Sequence, residues 1–242
     1  MKAVFHIVPH THWDREWFAP GSYTREWLVP FFESLFARFE VDDEYRFVLD
    51  GQTILIEDYL AQLSDGAARA ALARIGELVR SGRLAVGPYY QQPDWQLASG
   101  EALVHNLLIG VADARALGGI NRAGWLLDNF GQIAQTVQLH AGFDLEGIFS
   151  WRGFDLLPDR VRTELWWEGP DGSRLPLIYL IDSYRNGMRL FSFPQFAERR
   201  KAAIESRLLP FSGDANILLM NGYDQEMEPE RPEGLRPSLP AD

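Results

Sequence analysis

The sequence predicts an α/β fold in which parallel strands are covered by helices. Short apolar runs are each followed by a polar loop and then by an amphipathic helical pattern, a cycle that recurs about five times in roughly 150 residues. Such alternation favours a parallel sheet, either open or closed into a barrel. In folds of this kind the chemistry gathers at the carboxyl ends of the strands, so the loops that leave the apolar runs are of first interest.

The first half of the chain carries three of these cycles. Trp27, Leu28, Phe31 and Leu35 recur at helical spacing, an Asp-Gly pair follows the second apolar run, and a Ser-Gly pair ends a later helical pattern. In chain order this half predicts a strand at 3–8, a helix at about 22–40, a strand at 46–51, helices at 53–63 and 67–82, a strand that enters a loop at 83–95, and a helix at 101–119.

The second half continues the cycle and then changes character. It predicts a strand end and turn at 124–131, a helix at 133–143, a strand and loop at 145–153, two strands around a Pro-Asp-Gly-Ser turn within 163–184, and a last strand with a polar exit at 215–227. We expect residues 1–226 to form one catalytic domain. Residues 227–242 are rich in Pro and charge, which predicts an unstructured tail or the point where a longer protein has been cut.

Composition excludes several classes of partner. The 242 residues carry a net charge of −11, so the surface should repel nucleic acid rather than bind it. The absence of Cys removes disulfides and thiolate zinc sites, which leaves His and carboxylates to hold any metal, and it fits a cytoplasmic protein. The N-terminal apolar run is too short for a signal peptide or a membrane span, so no membrane is expected as a partner.

The predicted strand ends form a rim rich in acids and aromatic residues. His12 and Asp14 are separated by one residue in a predicted loop, a spacing that lets both side chains turn toward one cation. Such a pair can also cap a loop. Asp128 would complete a set of one imidazole and two carboxylates, which suits a divalent ion such as Zn²⁺. The other rim residues are His10, Asp50, Tyr90 to Trp95, Trp151, Arg152 and Asn221 to Asp224.

Four segments carry a resemblance to a known family. PHTHWDREW at 9–17, GWLLDNFGQIAQ at 124–135, FSWRG at 149–153 and LLMNGYDQ at 218–225 resemble, in order and spacing, the signature segments of family 38 glycoside hydrolases, the zinc-dependent retaining α-mannosidases. The resemblance covers residues 3 to about 225. It corresponds to the N-terminal catalytic domain of that family and implies a (β/α) barrel of the seven-stranded type.

The resemblance implies a role for each matching residue. His12 and Asp14 would be zinc ligands, and Asp128 would be both a ligand and the catalytic nucleophile, with its pKa held low by the cation. Asp224 would be the general acid/base, with Glu226 as a fallback because Tyr223 stands where the family often has a second acid. The resemblance further implies that Arg152 lies near the nucleophile and Trp17 beneath the sugar. Trp95 and Tyr223, from the predicted rim, are expected as further substrate contacts.

One zinc ligand implied by the resemblance is missing. The family supplies a further His downstream of the segment that matches 218–225, and this chain has no His after His140. The helical and β domains that follow the barrel in the family are absent as well. We therefore expect weak zinc binding, missing downstream domains, and poor or no activity of this chain by itself.

The predicted function is zinc-assisted hydrolysis of α-mannosides through a covalent mannosyl-Asp128 intermediate. A metal-dependent polysaccharide deacetylase is an alternative on a similar barrel, and we place it well behind because it requires a His-x-x-x-His pair whose metal activates water. A carbohydrate-binding domain without turnover is the alternative from another functional class. Of the other histidines, His6 is expected in the core, and His105 and His140 are expected on helices, where they face solvent or act as caps.

Overall fold

The computed structural model of the protein describes residues 3–225 as alternating strands and helices. The strands are β1 (Val4–Thr11), β2 (Phe47–Leu49), β3 (Leu84–Ala85), β4 (Ala123–Leu126), β5 (Gly147–Ser150), β6 (Glu164–Glu168), β7 (Arg174–Tyr179) and β8 (Asn216–Asn221). The α-helices are α1 (Gly21–Glu26), α2 (Leu28–Val41), α3 (Ile54–Leu60), α4 (Asp65–Arg80), α5 (Gly100–Leu117), α6 (Thr136–Gly142) and α7 (Pro194–Leu208). Short 3₁₀ helices span Pro158–Arg160 and Leu209–Phe211. The predicted tail at 227–242 and the fallback acid Glu226 lie outside the described residues.

The strands form two sheets of four strands each. The first has the order β3-β2-β1-β8 with all neighbours parallel, and β1 and β8 pair along their length from Val4 with Asn216 to Pro9 with Asn221. The second has the order β4-β5-β7-β6, in which β4, β5 and β7 are parallel. The parallel register brings the carboxyl ends of β1, β2, β4, β5 and β8 to the side where the polar loops leave.

The seven-stranded barrel implied by the resemblance is wrong for residues 3–225, because the two sheets are not joined into a closed ring. On one side β3 has only two residues, and it is followed by Gly87 at a φ of +67° and by Pro88, which lacks an N–H, so the chain turns away before pairing with β4. On the other side the antiparallel strand β6 occupies the edge beside β7. The broader prediction of an α/β fold with parallel strands and covering helices is confirmed.

The predicted hairpin is confirmed, whereas one predicted helix is divided in two and one helix of the structure was not predicted. β6 and β7 pair antiparallel, and Gly169 N–H donates to Ser173 O across the turn, as the Pro-Asp-Gly-Ser segment predicts. The helix predicted at 22–40 divides at Trp27 into α1 and α2. Helix α7 was not predicted, since it buries only Ile204 and Leu208, which leaves no clear apolar stripe.

Apolar side chains form three clusters around the sheets. The largest packs α2, α3 and α4 against β2 and β3, a second surrounds β4, β5 and β7, and a third lies between α7, β1 and β8. Burial on this scale holds the strand ends in fixed relative positions. No helix within residues 3–225 has the length and apolar character needed to cross a membrane.

Candidate active site

An open cavity of about 830 Å³ lies at the carboxyl ends of the strands. It is lined by segments that follow β1, β2, β3, β4, β5, β7 and β8, which explains why residues far apart in the chain meet there. A volume in this range suits a small ligand such as one or two sugar rings. The chemically active side chains of the lining are His12, Asp14, Arg15, Glu16, Trp17, Asp94, Asp128, Arg152, Tyr184, Arg185 and Asp224.

His12 is held in the cavity by contacts of both its backbone and its ring. Its backbone N–H donates to Tyr223 O at 3.1 Å and its carbonyl accepts from Gln225 N–H at 2.7 Å, which ties the end of β1 to the segment after β8. Its Nδ1 lies 3.2 Å from Asp50 Oδ1. Its Nε2 lies 3.4 Å from Asp14 Oδ1 and 3.7 Å from Asp128 Oδ2, so the ring edge faces both carboxylates.

The residues fit a bound cation in their donor chemistry. His12 Nε2 is buried and has no hydrogen-bond partner among residues 3–225, yet two carboxylates face it. The carboxylates raise the pKa of His12 well above its usual value against the opposing effect of burial, so this position favours positive charge. As the described side chains stand, however, no group of three or more His, Asp or Glu residues forms a ready metal-binding arrangement.

Tyr184 links the two carboxylates that the resemblance assigns to catalysis. Its hydroxyl oxygen lies 3.2 Å from Asp128 Oδ2 and 2.6 Å from Asp224 Oδ1. Sequence reasoning missed this residue because it lies past the end of β7, outside every motif, and no local pattern marks it. The structure alone reveals that Asp128 and Asp224, at the ends of strands in different sheets, contact one hydroxyl group.

Arg152 forms an ion pair with the other oxygen of Asp128, with Nη2 to Oδ1 at 2.7 Å. The guanidinium carbon lies 3.8 Å from the ring centroid of Trp151 and 4.5 Å from that of Phe130. The guanidinium group therefore packs against the faces of both rings. Burial raises the pKa of Asp128, while His12, Arg152 and Tyr184 act in the opposite direction. With protein groups alone the pKa of Asp128 is raised, whereas the low pKa expected from the sequence assumed a bound cation.

Asp50 is a second residue to which sequence reasoning assigned no role. It is completely buried at the end of β2, and its Oδ2 accepts from Trp13 N–H and Gln52 Nε2, each at 2.7 Å. Gln92 Nε2 also donates to its Oδ1 at 3.1 Å. The sequence places Asp50 at the predicted rim, since an Asp-Gly pair directly after an apolar run puts a carboxylate at a strand end, but nothing in the local pattern indicates that it contacts His12.

The three predicted substrate contacts have different environments. Trp17 lines the cavity and is 67% exposed, with its ring 5.0 Å from that of Phe18. Trp95 is buried in the second apolar cluster against Tyr89 and does not line the cavity. Tyr223 is half-buried beneath Arg185 and contributes its carbonyl oxygen to His12 instead of lining the cavity.

The remaining histidines differ in part from expectation. His6 is exposed and bonds Asn216 Oδ1 at 2.8 Å, so the core position predicted for it is wrong. His140 is completely buried and bonds the Tyr89 hydroxyl at 2.6 Å, so it does not face solvent, whereas its Nδ1 donates to Thr136 O from the last turn of α6, in line with the alternative of a cap. His105 is exposed as predicted. His6 and His10 have the His-x-x-x-His spacing, but residues four apart in one strand are about 13 Å apart and cannot share a metal ion.

Comparisons with known proteins agree with the four motifs. A sequence model described as the glycosyl hydrolases family 38 N-terminal domain matches residues 2–235. A protein of Halalkalibacterium halodurans named "Putative mannosylglycerate hydrolase" is 33% identical over 241 residues, which cover 93% of this chain and 26% of the relative. The chain thus spans about a quarter of the length of that relative.

Two solved structures are similar in fold. The crystal structure of an α-mannosidase from Enterococcus faecalis V583 matches with a TM-score of 0.82 and 31% identity over 96% of this chain and 26% of that protein. A family 38 glycosyl hydrolase from Enterococcus faecalis matches with a TM-score of 0.70 and 26% identity over 91% of this chain and 23% of that protein. In each case the similarity covers about a quarter of the longer protein.

Proposed function

This chain belongs to glycosyl hydrolase family 38, and we propose that it is the catalytic domain of an enzyme that hydrolyses α-mannosides with retention of configuration. The N-terminal domain of that family matches residues 2–235. Similarity to an α-mannosidase of Enterococcus faecalis V583 supports the substrate class. Because the chain spans about a quarter of that relative, we also propose that further domains contribute to full activity.

One observation carries the proposal of retention: a single hydroxyl, that of Tyr184, contacts both Asp128 and Asp224. The distance between Asp128 Oδ2 and Asp224 Oδ1 therefore cannot exceed the sum of these two hydrogen-bond lengths. Retaining glycosidases hold their two carboxyl groups about 5 Å apart, whereas inverting enzymes need roughly 6.5–9.5 Å to admit a water between acid and base. Such a spacing supports a nucleophile and an acid/base, and it favours them over the inverting arrangement.

The proposed roles follow from the surroundings of each carboxylate. Asp128, ion-paired with Arg152 and facing His12, is favoured as the ionised nucleophile that attacks the anomeric carbon. Asp224 then protonates the leaving oxygen and later removes a proton from the water that releases the sugar. The exposed ring of Trp17 at the cavity offers a flat apolar face for the sugar ring.

We further propose zinc as the cofactor, held by His12, Asp14 and Asp128. His12 Nε2 has no hydrogen-bond partner within the described part of the chain and faces two carboxylates, which supports a cation at this position. Bound there, zinc would supply Lewis acidity and an anchor for vicinal sugar hydroxyls. The protein side chains provide the orientation: Asp50 directs His12, Arg152 holds Asp128, and Tyr184 holds Asp224.

Trapping the intermediate tests the proposal. Incubation with an activated fluorinated mannosyl reagent should add one mannosyl group to the chain, and peptide mass spectrometry should locate it on Asp128. Asp128→Asn should abolish labelling and hydrolysis, while Asp94→Asn, at another carboxylate of the same cavity, should keep labelling at Asp128. Labelling at another residue, or turnover by Asp128→Asn, contradicts the assignment. Mannose binding without hydrolysis, even with added zinc, supports a carbohydrate-binding domain instead.

A second candidate concerns the group released with the mannose. Arg185 lines the cavity, and its guanidinium lies over the Tyr223 ring at 5.4 Å without an ion pair among residues 3–225. The relative named "Putative mannosylglycerate hydrolase" and this positive charge together favour an α-mannoside whose aglycone carries a carboxylate. Arg185→Ala should then lower kcat/KM for mannosylglycerate about 10-fold or more and leave methyl α-mannoside unaffected. An equal effect on both substrates contradicts this candidate.

A further inference from the structure

We propose that the Tyr184 hydroxyl is a positioning group that donates its single proton to whichever of Asp128 and Asp224 carries the negative charge in each half of the reaction. The inference rests on the proposed retaining hydrolysis and adds a residue that none of the sequence motifs contains. It begins from the two contacts, 3.2 Å to Asp128 Oδ2 and 2.6 Å to Asp224 Oδ1.

The Tyr184 hydroxyl can donate a hydrogen bond to only one of the two carboxylates at a time. A tyrosine hydroxyl has one proton to donate, and an ionised carboxylate is an acceptor only. A phenol ordinarily loses its proton only at about pH 10, so the hydroxyl keeps that proton at neutral pH. Two ionised carboxylates around one O–H would leave one of them without its hydrogen bond, so the arrangement is best satisfied when one of the two carries charge and the other does not.

Retaining hydrolysis creates this alternation. In the first half, an oxygen of Asp128 bonds to the anomeric carbon, the bond to the leaving oxygen breaks, and the proton of Asp224 passes to that oxygen. Asp128 becomes a neutral ester and Asp224 becomes a carboxylate. In the second half, Asp224 takes a proton from water, the water oxygen bonds to the anomeric carbon, and the ester bond to Asp128 breaks. One negative charge moves between the two carboxylates, and the proton of Tyr184 is never transferred.

The backbone around Tyr184 is built to hold the hydroxyl still. His10 Nε2 donates to Tyr184 O at 2.8 Å. Two residues later, Asn186 donates to Leu218 O at 2.9 Å and accepts from Met220 N–H at 2.8 Å, which joins the segment to β8, the strand that leads to Asp224.

The side chain has equally little freedom. The ring of Tyr184 is 2% exposed and packs edge-on against His12 and Trp151, at centroid distances of 5.3 and 5.1 Å. Rotation of the O–H about the Cζ–Oη bond is therefore the movement left to it, and this rotation is all that the alternation requires.

Tyr184→Phe removes the hydroxyl and keeps the buried ring, so the variant should fold. Tyr90→Phe is the matched control, because it also removes a hydroxyl that donates to a carboxylate, that of Glu57, outside the cavity. Aryl α-mannosides with good and poor leaving groups separate the two halves: kcat/KM reports transfer to Asp128, and kcat on the most activated substrate reports release.

We expect Tyr184→Phe to lower both quantities about 10- to 100-fold, the effect of losing a hydrogen bond to a charged group, with unchanged calorimetric binding of mannose. Tyr90→Phe should match the parent. A folded Tyr184→Phe variant with both quantities near parental values overturns the inference, and so does a loss confined to one half. A parent protein that carries the further domains proposed above and neither turns over nor accepts the fluorinated label overturns the proposed function, and this inference with it.

Discussion

His12 Nδ1 lies 3.2 Å from Oδ1 of Asp50, a carboxylate that is completely buried at the end of β2. Because an ionised carboxylate can only accept, His12 Nδ1 donates to Asp50, and this contact orients the ring so that Nε2 faces the cavity. The two residues are 38 positions apart, and β1 and β2 are adjacent parallel strands, so their carboxyl ends bring this pair together.

We predict that Asp50→Asn weakens zinc binding. Asn tolerates the left-handed backbone of position 50, where φ is +41°, so the fold should persist while the charge that orients His12 is lost. Loss of such an outer partner typically costs about 10- to 100-fold in metal affinity. Isothermal titration with Zn²⁺ measures the change, and Glu198→Gln, at an exposed carboxylate on α7, is the control. Parental affinity in a folded Asp50→Asn variant would refute the assignment.

Gly110 is predicted to be essential to the packing of α5. A Cβ at this position would lie 2.1 Å from the backbone carbon of Tyr89 and 2.3 Å from the nitrogen of Tyr90, neither of which can move without disturbing the loop after β3. Gly110→Ala should lower the free energy of unfolding by about 1–3 kcal/mol or more.

Gly100, at the start of the same helix, is the matched control for this prediction. A Cβ there meets nothing within 4 Å, so Gly100→Ala should be neutral or slightly stabilising. Urea unfolding of both variants measures the difference. Equal stabilities would show that α5 and the loop can separate at no cost, contrary to the packing described.

Stability should decline in acid because of His140. Burial lowers the pKa of this histidine to about 4, compared with about 6.5 when unfolded. The folded state keeps the ring neutral while the unfolded chain binds a proton, so this contribution is fully present above pH 6.5 and is lost as the pH falls from 6.5 to about 4. The total is about 3 kcal/mol.

Substitution isolates the histidine from other groups that titrate in acid. His140→Gln should flatten the dependence of the unfolding free energy on pH between about 6.5 and 4. His105→Gln, at an exposed position on α5, should leave the dependence unchanged. Denaturant titrations across this range provide the measurement, and parallel curves for the parent and His140→Gln would disprove the prediction.

Arg152 should not be replaceable by Lys. Its planar guanidinium packs on Trp151 and Phe130 while it pairs with Asp128, and an ammonium group cannot reproduce both contacts. We expect Arg152→Lys to lower kcat/KM on an aryl α-mannoside about 10-fold, with Arg160→Lys, on the surface, as the control. Full activity of a folded Arg152→Lys variant would exclude a positioning role for the guanidinium.

Local pattern alone was enough to predict most helices and strands and to identify the residues that could carry chemistry. The period of apolar residues reports which face of a segment is buried, and the parallel α/β reading follows from alternation along the chain. His12, Asp14, Asp128 and Asp224 could be named because they stand at the ends of predicted strands and match the family motifs. Helix α7 escaped prediction because it buries little and therefore has no periodic signal.

By itself the sequence determined the family and the side chains that stand at strand ends. Only the tertiary structure decided that the sheets remain two, that Trp95 is buried, and that Tyr184, 56 positions from Asp128, bridges it to Asp224. The physical reason is that periodicity describes the surroundings of a residue within its own segment. Which strand pairs next, and which distant side chain reaches a given oxygen, depend on how all the buried surfaces pack together.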